Sequence, residues 1–256
     1  MEFETLRYEV KGEIGVLTLN RPAVINAVNR AMLAELNRFW QQRQEDTDVR
    51  VIILKGAGHR GFCSGLDLKE AATAEPADFA PEKIYSAQRL FSGNIRLMRT
   101  CPQPVIAAIH GPALGAGLAM ACAADIRLAH TSAAFCAQYI NIGTGGADMG
   151  SSYFLWRTVG WGRAAQMCLT GETVGAEEAL ALGLITGVFA DDTLEDAAWR
   201  MAATLVSKSK LGLRMTKEAL NAGLNLTSLE DATLLEDRNQ TLLVASGRMQ
   251  TGIKGL

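Results

Sequence analysis

The sequence predicts an α/β protein whose strands pair mainly in parallel, followed by a stretch that is helical throughout. Three observations carry that expectation. Short, wholly apolar runs, the mark of strands buried on both faces, occur at Val51-Ile52-Ile53-Leu54 and Val105-Ile106-Ala107-Ala108-Ile109. Helical patterns separate them, giving the order strand, helix, strand, helix, strand. In the last quarter of the chain only helical patterns remain.

The first expected strand is Glu13-Ile14-Gly15-Val16-Leu17-Thr18-Leu19-Asn20, ended by Arg21-Pro22. Met32, Leu36, Phe39, Trp40 and Arg43 recur at helical spacing, so 30–45 is expected as an amphipathic helix capped by Asn29. After the 51–54 strand, Gly56, Gly58, Gly61 and Gly65 fall between Lys55 and Asp67. That is too much glycine for a regular element, and marks a loop whose backbone approaches something closely. A helix at 82–99 is stopped by Pro102 and Pro104; the 105–109 strand turns at Gly111-Pro112 into a buried helix at 113–123. Strands follow at 125–129 and 133–135. Asp192-Thr193-Leu194-Glu195 and Thr227-Ser228-Leu229-Glu230 have capping-box spacing and open helical patterns near 193–207 and 228–245, with another at 209–222. The expected division is a core at 1–194 and a helical region at 195–256 whose work is packing or oligomerisation.

At 256 residues, 48% apolar and 20% charged, the chain can bury a large core and is too apolar for disorder. Twenty-five Lys and Arg against 27 Asp and Glu give a net charge of −2 with no basic cluster, which argues against nucleic acid or an anionic membrane as partner. The apolar stretch 104–124 contains His110, Gly111, Pro112, Gly115 and Gly117, a turn between buried elements rather than a membrane span. Cys63, Cys101, Cys122, Cys136 and Cys168 are odd in number and embedded in apolar runs, as reduced thiols are. Met1-Glu2-Phe3-Glu4 shows no leader pattern, so a cytoplasmic location is expected.

Two segments share one design. A buried strand runs into a glycine-rich loop that opens a helix, first through Gly61-Phe62-Cys63-Ser64-Gly65-Leu66-Asp67, then through Gly111-Pro112-Ala113-Leu114-Gly115-Ala116-Gly117. Free N–H groups at such places stabilise anions. Glycines there can also serve only close helix–sheet packing, but the pair within about sixty residues favours a two-donor oxyanion hole. Rival motifs fail on spacing. Gly115-Ala116-Gly117-Leu118-Ala119-Met120 has Met120 where a dinucleotide fingerprint needs a small residue, and no acid near Phe135. Gly61-Phe62-Cys63-Ser64-Gly65 resembles a nucleophile elbow, yet no histidine follows His130. His59, His110 and His130 lack metal-ligand spacing, so no metal is expected, and His110 is expected as a hydrogen-bonded strand-end residue. A third glycine-rich loop, Ile142-Gly143-Thr144-Gly145-Gly146-Ala147-Asp148-Met149-Gly150, delivers a helix near Met149. Asp148 is there either an N-cap or a catalytic carboxylate.

Leu19-Asn20-Arg21-Pro22, Phe62-Cys63-Ser64-Gly65-Leu66-Asp67-Leu68, the run from Pro104 to Gly117, Asp125-Ile126-Arg127, Leu169-Thr170-Gly171-Glu172 and 179–185 together resemble the crotonase (enoyl-CoA hydratase/isomerase) superfamily. The resemblance implies a spiral of ββα units with a C-terminal helical trimerisation region, assembled as a homotrimer or dimer of trimers. It implies an acyl-CoA substrate, with coenzyme A as part of that substrate and no other cofactor. The thioester oxygen would lie between the N–H groups of Leu66 and Ala116, and coenzyme A along Val24, Ala27, Ser64 and Leu68. Family members usually continue beyond a segment like 247–254 with a helix that helps cover coenzyme A.

The departures shape the expected reaction. The two glutamates with which hydratases of the family activate water would align with Ala119 and Tyr139, neither a carboxylate. Ala147-Asp148-Met149-Gly150 is similar to the segment carrying a catalytic aspartate in dienoyl-CoA isomerases and 4-chlorobenzoyl-CoA dehalogenases, in a loop one residue longer. One carboxylate beside an oxyanion hole suffices to move a proton between carbons. The expectation is double-bond isomerisation with Asp148 as acid and base, Tyr139 contributing a hydrogen bond or packing. Hydratase or dehalogenase-like chemistry, and a non-catalytic acyl-CoA binder, are the alternatives.

Overall fold

Alternation along three strands explains why the core has two layers. The computed structural model describes residues 2–190 and 193–247; the cap expected at Asp192 and the segment 248–254 lie outside them. In β2 (Ile14–Leu19), β3 (Val51–Gly56) and β4 (Val105–Ile109), Leu17, Leu19, Ile52, Leu54, Ala107 and Ile109 face one side. Ile14, Val16, Val51, Ile53, Ile106 and Ala108 face the other. Each fully buried Leu or Ile contributes about 1.5–3 kcal/mol, so both faces must be covered.

The larger layer packs against α1 (Arg30–Arg43), α3 (Pro81–Thr100) and α4 (Ala116–Ala123). Between α1 and α3 comes the four-residue α2 (Leu68–Ala71). The other face is closed by Leu194, Ala197, Ala198 and Ala202 of α8 (Thr193–Val206). The first helix of the expected C-terminal region is therefore packed onto the sheet.

The six-stranded sheet runs β1-β2-β3-β4-β6-β9, with β1 (Leu6–Lys11), β6 (Ile126–His130) and β9 (Gly187–Phe189). Only β1 is antiparallel to its neighbour. β1 falls outside the expected strands; it returns through the two-residue loop Gly12-Glu13, where Gly12 takes φ 61. A second sheet, β5-β7-β8, is built from β5 (Pro112–Leu114), β7 (Ala134–Cys136) and β8 (Thr173–Gly175). The chain climbs as a spiral, leaving the large sheet at β4 to enter β5 and at β6 to enter β7. Bridges Cys63↔Ala113 and Val28↔Leu66 repeat this step one and two turns earlier. The helix expected at 113–123 is thus corrected. Residues 112–114 pair with β7, and Gly115, at φ 50, separates that strand from α4.

The remaining helices are α5 (Ser151–Val159), α6 (Trp161–Thr170), α7 (Ala176–Ala181), α9 (Lys210–Gly223) and α10 (Leu229–Ala245). α10 is capped by Ser228, one residue later than the capping-box spacing suggested, because the Asp231 N–H reaches its hydroxyl at 3.0 Å. α9 is tied to the core by a buried ion pair. Lys217 Nζ lies 2.9 Å from Asp125 Oδ2 and donates to Gln103 O at 2.8 Å. Asp125 Oδ1 meets Arg99 at 3.0 Å, and Oδ2 accepts from the first N–H of β4. α10 packs along α9 and buries none of its residues. Among the described residues no helix is long and apolar enough to cross a membrane, and all five cysteines are unpaired.

Candidate active site

Hydrogen bonds lock the two glycine-rich loops side by side. Cys63 N–H donates to Pro112 O at 3.0 Å and Leu114 N–H to Cys63 O at 2.9 Å. Glycine makes this approach possible at two positions. A Cβ on Gly117 would lie 2.4 Å from Cys63 O, and one on Gly65, at φ 92, would lie 2.9 Å from Leu114 O and 3.7 Å from Ala116 N. Close packing is therefore one task of these glycines. It does not consume the neighbouring amides: neither Leu66 N–H nor Ala116 N–H donates to any acceptor among the described residues. Leu66 and Ala116 line one cavity of ≈ 370 Å³. A cavity wall with two free N–H groups can hold a carbonyl oxygen that gains charge.

Asn26 holds the first loop in place. Fully buried, it donates through Nδ2 to Ala57 O, Gly61 O and Phe62 O at 3.0–3.1 Å and accepts from Arg21 N–H at 3.0 Å. Ile25 and Asn26 take left-handed φ values of 52 and 54 to bring the amide there. Arg21 donates to Ala27 O and to Asp67 Oδ2, both at 2.7 Å. Burial alone would raise the Asp67 carboxyl, but the hydrogen bond from Arg21 and the Glu70 N–H outweigh it and hold the group below the usual carboxylate range. Asp67 also caps α2. Sequence reasoning missed Asn26 and the Arg21–Asp67 pair; the one available signal was a polar turn, Arg21-Pro22, facing a glycine loop.

Of the four residues expected along coenzyme A, Ser64 and Leu68 line the cavity, whereas Val24 and Ala27 do not. They are nonetheless neighbours: Ser64 Oγ donates to Val24 O at 3.1 Å, Ser64 N–H to Ile25 O at 2.9 Å and Ala27 N–H to Val24 O at 3.2 Å.

Asp148 reaches the same cavity from the third loop and is the only carboxylate lining it among the described residues. It is not an N-cap. α5 starts at Ser151, two residues later than expected, with Gly150 at φ 83 as its cap and no side-chain capping bond. The loop is pinned at Gly146, where a Cβ would overlap Cys168 O of α6. The Asp148 main chain closes a turn with Ser151, donating to its Oγ at 3.0 Å and accepting from its N–H at 2.9 Å. That frees the carboxylate. Oδ1 accepts from Gln88 Nε2 of α3 and from Met149 N–H at 2.6 Å; Oδ2 has no partner among the described residues. Phe91, Ile142 and Met149 add apolar wall.

Tyr139 also lines the cavity, its ring against Gly115, but its hydroxyl is buried without a partner. Burial first, and the negative charge of Asp148 second, hold the phenol proton on far above its usual range. Ala119 is buried within α4 and does not reach the cavity. Tyr139→Phe should therefore raise stability by about 1 kcal/mol, since an unpaired buried hydroxyl is removed. A thermal melt checks this; a lower Tm would mean that the hydroxyl has a partner. His110 lies away from this cavity, in one of ≈ 830 Å³ that His59 and His130 also line. Its Nε2 has no hydrogen-bond partner among the described residues. Burial holds its imidazole below the ordinary range.

Residues 9–256 match the Enoyl-CoA hydratase/isomerase family. A Mycobacterium leprae protein named probable enoyl-CoA hydratase is 41% identical over 220 residues, 85% of this chain and 74% of that one. The 1,2-epoxyphenylacetyl-CoA isomerase of Escherichia coli is 35% identical over 253 residues, 99% of this chain and 94% of that one. The crystal structure of an enoyl-CoA hydratase from Bacillus anthracis superposes with a TM-score of 0.91 at 29% identity, covering 98% of this chain and 95% of that one. Spiral, paired loops and comparisons agree: the chain belongs to the enoyl-CoA hydratase/isomerase, or crotonase, family.

Proposed function

We propose that the protein moves the carbon–carbon double bond of an enoyl-CoA thioester, with Asp148 as the single acid and base. One observation carries the reading: among the described residues, a single carboxylate shares a cavity with two main-chain amides that have no acceptor. The thioester oxygen accepts from Leu66 N–H and Ala116 N–H. Asp148 takes the α-proton of a β,γ-unsaturated thioester, and the C–H electron pair moves into a dienolate whose charge rests on that oxygen. The protonated carboxyl then delivers the proton to the γ-carbon as the dienolate collapses, giving the conjugated thioester and restoring the carboxylate. No water is consumed. Coenzyme A runs along Val24, Ala27, Ser64 and Leu68, and the Tyr139 ring packs against the acyl group.

Hydration is the second reading, favoured by the names of the hydratase relatives. It asks for a second group to activate water, and the family resemblance would align the two hydratase glutamates with Ala119 and Tyr139, neither a carboxylate. The assembly is a homotrimer or a dimer of trimers; exposed Leu220 of α9 and Leu229, Leu234, Leu242 and Val244 of α10 support an interface there. Five unpaired thiols support a cytoplasmic location.

The test is product analysis in deuterium oxide with β,γ-enoyl-CoA thioesters. The expected product is the α,β-isomer carrying deuterium at exchangeable carbons. A β-hydroxyacyl-CoA product would replace this reading with hydration. Tight thioester binding without conversion or exchange would replace it with a binding protein.

A further inference from the structure

We infer that Gln88 is a positioning residue for Asp148: its side-chain amide, with the Met149 N–H, occupies Oδ1 and leaves Oδ2 to exchange the proton with substrate. The inference rests on the acid–base role proposed above and adds the residue that aims it. Three observations support it. First, residues 81–90 of α3 are all exposed, and of them Gln88 lines the cavity and donates to a carboxylate sixty residues away. A side chain free to be hydrated gives up its rotamer freedom for this one bond. Second, the helix that carries it is fixed just beyond that point, because the buried Asn37 of α1 donates to Leu90 O at 3.0 Å and to Leu33 O at 2.9 Å. Third, the other donor to Oδ1 depends on a strained residue. Met149 is buried and not glycine, and it takes φ 49 in the turn where its N–H donates to Asp148 Oδ1 at 2.6 Å.

The chemistry of the donor matters. An Arg or Lys in place of Gln88 would bind the carboxylate as an ion pair and oppose its protonation. A neutral amide fixes the same oxygen without adding charge. Asp148 then has one oxygen held and one open, as a group that takes a proton from one carbon and returns it to the next must have. Tyr139 is the other titratable side chain lining the cavity, and it stays protonated.

The test compares Gln88→Leu, Gln88→Glu and Asp148→Asn for kcat, KM and the pH profile of isomerisation. Gln88→Leu is expected to lower kcat about tenfold or more with KM nearly unchanged. It should also move the acidic limb of the profile to higher pH, because the ionised carboxylate loses a donor. Gln88→Glu, close to isosteric on an exposed turn, should move the limb further by like-charge repulsion, and it carries the test if the leucine variant does not fold. An acidic limb unmoved in both variants, or a loss confined to KM, overturns the role of Gln88. Isomerisation surviving intact in Asp148→Asn overturns the acid–base reading itself, and the inference with it.

Discussion

Asp148→Asn is expected to lower kcat for isomerisation by about 10²–10⁴-fold, the usual contribution of a positioned acid or base. At about 1.4 kcal/mol per factor of ten, that is about 3–5.5 kcal/mol of transition-state stabilisation. The replacement is a clean one. Asparagine keeps a side-chain oxygen to accept from Gln88 Nε2 and from Met149 N–H, so the loop from Gly146 to Ser151 has no reason to move. What disappears is the ability to bind and release a proton near neutral pH. Thioester affinity should persist, because the amides of Leu66 and Ala116 are untouched. Steady-state kinetics with a direct thioester binding measurement separate the two effects. Retention of more than about a tenth of wild-type kcat would remove Asp148 from the reaction, since no acid–base contribution is that small.

Different parts of this molecule were legible to different degrees, and the reasons are physical. Strands buried on both faces announce themselves as unbroken apolar runs, and β3 and β4 lie where those runs are. α1 starts just after Asn29, as that residue's cap chemistry required, with the Met32 N–H on the asparagine oxygen. β1 was missed although Leu6, Tyr8 and Val10 alternate with Arg7, Glu9 and Lys11, because its outer edge faces solvent and its apolar signal is diluted. Of the second sheet only β7 was readable, one residue from the strand expected at 133–135; β5 and β8 have three residues each, too few to show a period, and the β5 residues 113–114 fell within the helix expected at 113–123.

At the site, the paired glycine loops stood out because glycine at close approach leaves a mark in sequence. Gln88 left none, and Asn26 only the polar turn at Arg21-Pro22 beside it. A buried asparagine looks like any turn residue until its three carbonyl partners are known, and a glutamine on an exposed half-helix looks like surface. Asp148 was visible, but its local role was not. Gly150 rather than Asp148 caps α5, so the carboxylate is not spent on that helix.

Gly117→Ala is expected to lower kcat about 10²-fold while Gly162→Ala, the same change in another helix, is neutral or stabilising. Helix propensity alone favours alanine over glycine by about 1 kcal/mol at both positions. Surroundings decide the sign. Around Gly162 of α6 a Cβ would meet nothing within 4 Å, so the propensity gain stands. At Gly117 the added carbon would lie 2.4 Å from Cys63 O and 2.9 Å from Cys63 Cβ. Relief requires the two loops to separate by about an ångström, at a packing cost of about 1–3 kcal/mol. Cys63 is the residue that joins them, through its bonds to Pro112 O and from Leu114 N–H. Separation therefore spreads Leu66 N–H from Ala116 N–H, and an oxyanion hole loses about 10²–10³ in rate when one donor is misplaced. The decisive comparison is kcat for both variants beside their thermal melts. A Gly117→Ala protein that melts lower but turns over at the wild-type rate would show that the distance between the two loops does not govern the reaction.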